Sequence, residues 1–69
     1  MSESVYKVIE LVGTSEDSWE AAAKAAVERA GKSLKNLRIA EVSKLDMKVE
    51  DGRVAAFRAR MSLSFKYEG

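Results

Sequence analysis

The sequence contains no cysteine and no histidine. That removes disulfide frameworks, thiol nucleophiles, imidazole bases and Cys/His zinc sites together, and with them most common catalytic constellations. Proline is absent as well, so the glycines at 13, 31, 52 and 69 provide the main punctuation. Charge of one sign is not in excess, because 12 Lys and Arg stand against 11 Asp and Glu for a net +1. Such a balance creates no global field to gather nucleic acid or an anionic membrane, and neither partner is expected. No stretch approaches the roughly 20 apolar residues of a membrane span, and Met1 to Glu3 lack the basic-then-apolar order of a secretory leader. A cytoplasmic location is the expectation. The remaining carboxylates, lysines, serines and tyrosines fall into no reaction motif, so no enzyme is expected.

What is there is 69 residues with 46% hydrophobic content, which fits a single domain over 1–69 with one modest core. Domains of this size bury only about 60% of their unfolded surface, and those without disulfides or metal commonly rely on oligomerisation.

Val5 to Val12 is rich in Val, Ile, Leu and Tyr and ends at Gly13, which reads as a strand with apolar residues on both faces. Thr14 to Ser18 is a cluster of capping side chains, and Glu16, Asp17 and Glu20 suit the positive end of a helix dipole. From there to about Lys32, the residues Trp19, Ala22, Ala23, Ala26, Val27 and Ala30 recur at the spacing of one helical face. Glu20, Lys24, Glu28 and Lys32 form the solvated face, with pairs worth about 0.2–0.5 kcal/mol each. The small side chains inside allow close approach of a sheet or another helix, and Trp19 is the one large anchor, suited to core or interface packing.

Two long strands follow. Ala55, Phe57, Ala59, Met61, Leu63, Phe65 and Tyr67 occupy odd positions while Arg58, Arg60, Ser62, Ser64 and Lys66 occupy even ones, predicting a half-buried strand from about Arg53 to Tyr67. Leu37 to Val49 is a rougher copy, in which Leu37, Ile39, Leu45, Met47 and Val49 share a face that Glu41 and Ser43 interrupt. Asp51-Gly52 marks the hairpin between them. Matching odd apolar positions across the hairpin favours a three-residue loop, Glu50-Asp51-Gly52, with a bulge at Gly52. That register pairs Met47 with Ala55 and Leu45 with Phe57, sets Lys44 opposite Arg58, and leaves Asp46 diagonal to Arg58.

The order strand, helix, strand, strand predicts an α+β subunit with a three-stranded antiparallel sheet and the last strand in the middle. A strand of about 14 residues spans near 46 Å, whereas a 16-residue helix covers about 24 Å. One helix cannot shield that sheet. A curved sheet wrapped on the helix and closed by neighbouring subunits is therefore expected.

The run Val5-Tyr6-Lys7-Val8-Ile9-Glu10-Leu11-Val12-Gly13-Thr14-Ser15, then Glu28-Arg29-Ala30, Leu37-Arg38, Glu41-Val42, Asp51-Gly52-Arg53-Val54 and Phe65, resembles the dodecins over nearly the whole chain. The resemblance implies a hollow homo-dodecamer that, in flavin-binding members, stores flavins such as riboflavin, FMN or lumichrome. Those members carry a Trp-Phe pair, the Trp stacking on the flavin, where this chain has Ile39 and Ala40. They carry a Gln that bonds the flavin's pyrimidine edge where Arg58 stands here, and an Arg-Gly pair where Asp46-Met47 stands. Ile39, Lys44, Asp46 and Arg58 are thus the candidate ligand-binding residues.

Ser18-Trp19-Glu20, Asp46-Met47 and Ser64-Phe65-Lys66 look like a branch without the stacking Trp, which includes a calcium dodecin. The resemblance transfers no metal ligand to a numbered position, so the metal set stays unknown. No EF-hand loop is present, so a site would have to be built across subunits, and Glu16 with Asp17 and Glu50 with Asp51 are the candidate acidic pairs, both already accounted for by capping and turn chemistry. Lys44 facing Arg58 would repel unless Asp46, an acidic residue of a neighbouring subunit, or a bound anion lies between them. The leading expectation is a dodecameric binding or storage protein for a small ligand with absent or reduced flavin affinity. The alternatives are a structural or interaction shell without a small ligand, and a calcium-binding dodecin.

Overall fold

The capping serines and the alanine stripe do what their chemistry suggests. Ser18 sits in extended backbone at φ −166° and its hydroxyl accepts a hydrogen bond from the Ala21 amide at 3.0 Å, starting helix α1, Trp19–Gly31. Three strands complete the computed structural model, which describes residues 3–67: β1, Tyr6–Ser15; β2, Leu37–Glu50; β3, Arg53–Lys66. They form one antiparallel sheet in the order β1-β3-β2, with the most regularly alternating strand in the centre as its pattern implied.

The helix lies on the odd face of β3. Ala22 and Ala30 from α1 and Ala59, Met61 and Leu63 from β3 are the buried centre, and Ile9, Leu11, Ala26, Val27, Leu34 and Leu37 pack around them. Gly13 explains how close that packing is. β1 does not stop there but continues to Ser15, pairing Gly13 with Ala59. A Cβ added at Gly13 would fall 2.1 Å from the Ala22 carbonyl oxygen, so the helix backbone rests directly on this residue.

The hairpin register differs from expectation. Glu50 pairs with Arg53, so the loop is only Asp51-Gly52, with φ of 54° and 74° at the two residues, the left-handed pair of a tight two-residue hairpin turn. That loop alone would set odd residues against even ones. A bulge at Ala55 restores the parity, and Met47 pairs with Phe57 and Leu45 with Ala59 instead of two positions nearer the turn. Lys44 consequently faces Arg60, not Arg58, and Asp46 stands directly opposite Arg58. Further irregularities at Ser43 and Arg38 flip the parity of β2 twice more. Val42 and Ala40 therefore join the helix-side face, while Ile39 and Glu41 turn to the other. The expected common face of Leu37, Ile39, Leu45, Met47 and Val49 thus loses Ile39.

The described residues span 54 Å in their longest dimension, against about 20 Å for a 13-residue helix at ~1.5 Å per residue. The hairpin end is left uncovered. Leu45, Met47, Val49 and Val54 are each about half exposed or more. Among the described residues no helix is long and apolar enough to cross a membrane.

Candidate functional site

Direct opposition of Asp46 and Arg58 on neighbouring strands puts their side chains on the sheet face turned away from α1, at the separation of a cross-strand pair. The guanidinium meets the carboxylate through both of its edges. Arg58 Nε donates to Asp46 Oδ1 at 2.8 Å and Nη2 donates to Oδ2 at 3.1 Å. This fork geometry is the strongest form such a pair takes. The hydrogen bond from Arg58 holds the Asp46 carboxyl below the ordinary carboxylate value of 3.8, and the charges of Arg58 and Arg60 add to it. The same bond raises Arg58 further.

From the opposite face of the sheet, the first residue of α1 fastens the same strand. Trp19 Nε1 donates to the Asp46 carbonyl at 3.0 Å, and its ring meets Phe57 edge to face at a centroid distance of 5.1 Å. Asp46 is therefore held by its main chain from one side and by its side chain from the other. The helical stripe identified Trp19 as a packing anchor, but periodicity carries no sign that its indole N–H reaches a carbonyl 27 positions away.

The depressed carboxyl has a consequence with a definite sign. Folding favours the ionised form of Asp46, so its contribution to stability is complete above the unfolded carboxylate value near 4 and is lost as pH falls through the lower folded value. An Asp46→Asn variant is expected to lose less stability than the parent on acidification below about pH 4. Denaturant midpoints measured across that range check this, and parallel curves for the two proteins would contradict it.

The other candidates lie apart. Lys44 is two cross-strand pairs along from Asp46, the next position on the same face, opposite Arg60, whose carbonyl also accepts a hydrogen bond from Ser43 Oγ at 3.2 Å. Ile39 is opposite Ser64 and 61% exposed. From Ser64 to Arg58 along β3 is about 20 Å at ~3.3 Å per residue, so one chain does not bring Ile39 and Arg58 to one ligand. An apolar groove of about 540 Å³ runs between β1 and α1, lined by Ile9, Leu11, Ala26 and Leu34 with Arg29 among its polar residues, and none of the four candidates lines it.

Neither group implied by the resemblance fits the residues of a single chain. For a flavin, Ile39 offers no aromatic face, and two of the five N–H donors of the Arg58 guanidinium, on Nε and Nη2, are engaged by Asp46. For calcium, six to eight oxygen ligands are needed, and among the described residues no group of three or more acidic side chains gathers. Of the two acidic pairs, Glu50 lies 3.3 Å from Lys48, and the Asp17 amide donates to Ser15 Oγ at 2.9 Å in the turn before the helix.

Comparison with known proteins agrees with this architecture. The family model described as Dodecin matches residues 5–68. The calcium dodecin of Mycobacterium tuberculosis is 46% identical over 63 residues, covering 91% of this chain and 89% of that protein. Its crystal structure, described as having a novel calcium-binding site, superposes with a TM-score of 0.84 at 45% identity over 94% of this chain and 93% of that one. The dodecin of Thermus thermophilus is 39% identical over 64 residues, 93% of each chain. The dodecin of Streptomyces coelicolor superposes with a TM-score of 0.91 at 39% identity, covering 100% of this chain and 99% of that one.

Proposed function

This chain belongs to the dodecin family, and on that premise we propose that it works without catalysis, as a cytoplasmic homo-dodecameric binding or storage shell whose flavin affinity is absent or reduced. The observation that carries the reading is the Asp46–Arg58 fork. In the flavin-binding members a Gln at the position of Arg58 is free to bond the flavin edge. Here the group at that position commits one edge of its guanidinium to Asp46, and the stacking partner is replaced by Ile39. The uncovered hairpin, with Leu45 and Val49 53% and 60% exposed, supports association, because one 13-residue helix leaves that apolar surface to other copies.

Kinship at 46% identity with a calcium dodecin favours a second reading, in which the stored species is calcium. Since one chain's described residues gather no acidic triad, such a site has to draw ligands from more than one copy.

Native mass spectrometry of the protein purified from cells tests the shell and its cargo together. Twelve copies with no retained flavin is the expected result, and single chains of about 7.6 kDa would overturn the proposal. Calorimetry with calcium up to about 1 mM separates the readings, heat being expected for a calcium store and none for a shell without that cargo.

A further inference from the structure

The hairpin tip sets a free carboxylate beside a free, unhindered amide. Asp51 and Gly52 alone carry the chain from Glu50 to its partner Arg53, and both are exposed, at φ of 54° and 74°. An L residue resists that conformation, Asp and Asn less than the others, so Asp51 is held in it by the ladder on either side. Among the described residues no hydrogen bond uses the Gly52 amide or the Asp51 carboxylate, and that carboxylate forms no ion pair. A Cβ added at Gly52 would meet nothing within 4 Å, so nothing crowds the amide.

A side-chain carboxyl or amide closes a five-membered ring on the nitrogen of the next residue only where both groups are unengaged and accessible. The chain has three aspartates and one asparagine. Asp46 lies within β2 and is engaged by Arg58. Asp17 precedes Ser18, whose extended backbone caps α1. Asn36 precedes Leu37, a branched residue that opens β2. Asp51 alone is followed by a residue without a side chain.

We propose that Asp51-Gly52 is a site of self-modification, at which the backbone isomerises from an aspartyl to an isoaspartyl link. The Gly52 nitrogen attacks Cγ of Asp51; the N–Cγ bond forms, and the carboxyl hydroxyl leaves as water with the amide proton. Water then adds to the cyclic imide. Attack at Cγ returns aspartate, whereas attack at the main-chain carbonyl breaks its bond to the Gly52 nitrogen, leaving Gly52 joined to Cγ and the α-carboxylate of Asp51 free. One water is lost and one regained, so the reaction needs no other reactant and changes neither mass nor charge. Ring closure takes place from an opened turn, since Cγ must swing toward the next nitrogen. Opening breaks only the pairing nearest the turn, where local unfolding costs least. The product carries an extra methylene in the main chain, and the two-residue link no longer fits between Glu50 and Arg53. The tip then loosens as far as the next pair, Val49 and Val54.

The parent protein as purified, incubated for several weeks at physiological temperature and pH, tests this. Electron-transfer fragmentation is expected to find isoaspartate at Asp51 and none at Asp17 or Asp46. Methyl transfer from labelled S-adenosylmethionine by an isoaspartyl-specific carboxyl methyltransferase is expected to rise over the same period. Asp51→Glu keeps the charge but could close only a six-membered ring, and it is expected to lose that methylation. Fragmentation reads the parent directly, so the test stands even where Asp51→Glu folds poorly. Hydrogen exchange at the Val49 and Val54 amides is expected to be faster in the aged protein. An aspartyl link that persists in the native protein while isomerising in denaturant overturns the proposal. Isoaspartate that leaves exchange at Val49 and Val54 unchanged overturns the loosening of the tip.

Discussion

Replacing Gly13 by alanine is expected to cost about 3 kcal/mol of stability, near the upper end of what overpacking a well-filled site costs. The clash is with main chain. The new Cβ would stand 2.1 Å from the Ala22 carbonyl oxygen and 3.0 Å from both the Ala22 carbonyl carbon and the Ala26 Cβ. A side chain could rotate away, but the carbonyl belongs to the helical ladder and moves only if α1 lifts from the sheet. Lifting it would loosen the contacts of Ala22, Ala59, Met61 and Leu63, the buried centre of the subunit. A chain of this size should lose more than about 10 °C of melting temperature. Gly31→Ala is the control, since nothing lies within 4 Å of its added Cβ and it is the last residue of α1. That variant should be neutral or gain up to about 1 kcal/mol. If the two glycine variants melt together, the close approach of helix and strand is not what Gly13 provides.

The same glycine shows where the sequence was legible and where it was not. The helix, the central place of β3 and the shortfall of helical cover all followed from spacing and length, because these reflect burial repeated over many residues. In the sequence Gly13 reads as the end of a strand, since glycine usually marks one. Its role depends on what stands opposite, and the small residues Ala22 and Ala26 were the only hint of it. Register failed for a related reason. The bulge at Ala55 compensates the two-residue loop, so both a wrong loop and the right one keep odd residues facing odd ones. Only the absolute pairing differs, and no periodic pattern records it. Along β2 the interruptions were visible: Ser43 is where the ladder slips and Glu41 faces away from the helix. They looked like imperfections of a strand and are its turning points. The candidate residues changed meaning with the register. Lys44 and Arg58, expected to face each other, are two pairs apart, and the carboxylate expected at a diagonal closes directly on Arg58.

Flavin affinity should rise about tenfold to a hundredfold when Ile39 is replaced by tryptophan, by analogy with the roughly 1–3 kcal/mol that stacking a base on an aromatic side chain contributes. Arg58→Gln alone is expected to do less, because it frees a bonding group at the flavin edge but strands the Asp46 carboxylate, now without its counter-charge. The fuller exchange, Ile39→Trp with Asp46→Arg and Arg58→Gln, removes that carboxylate and reinstates the residue types of the flavin-binding members at three positions. It should bind riboflavin more tightly than either single variant, as read by quenching of riboflavin fluorescence. The comparison also tests how the site is built. Ile39 and Arg58 sit too far apart along β3 to touch one ring within a chain, so a combined gain larger than the sum of the separate ones requires that copies bring them together. Should the parent protein already bind riboflavin as tightly as the Ile39→Trp variant, the missing stack is not what limits affinity, and the engaged Arg58 would then lose its place as the reason for a weakened flavin site.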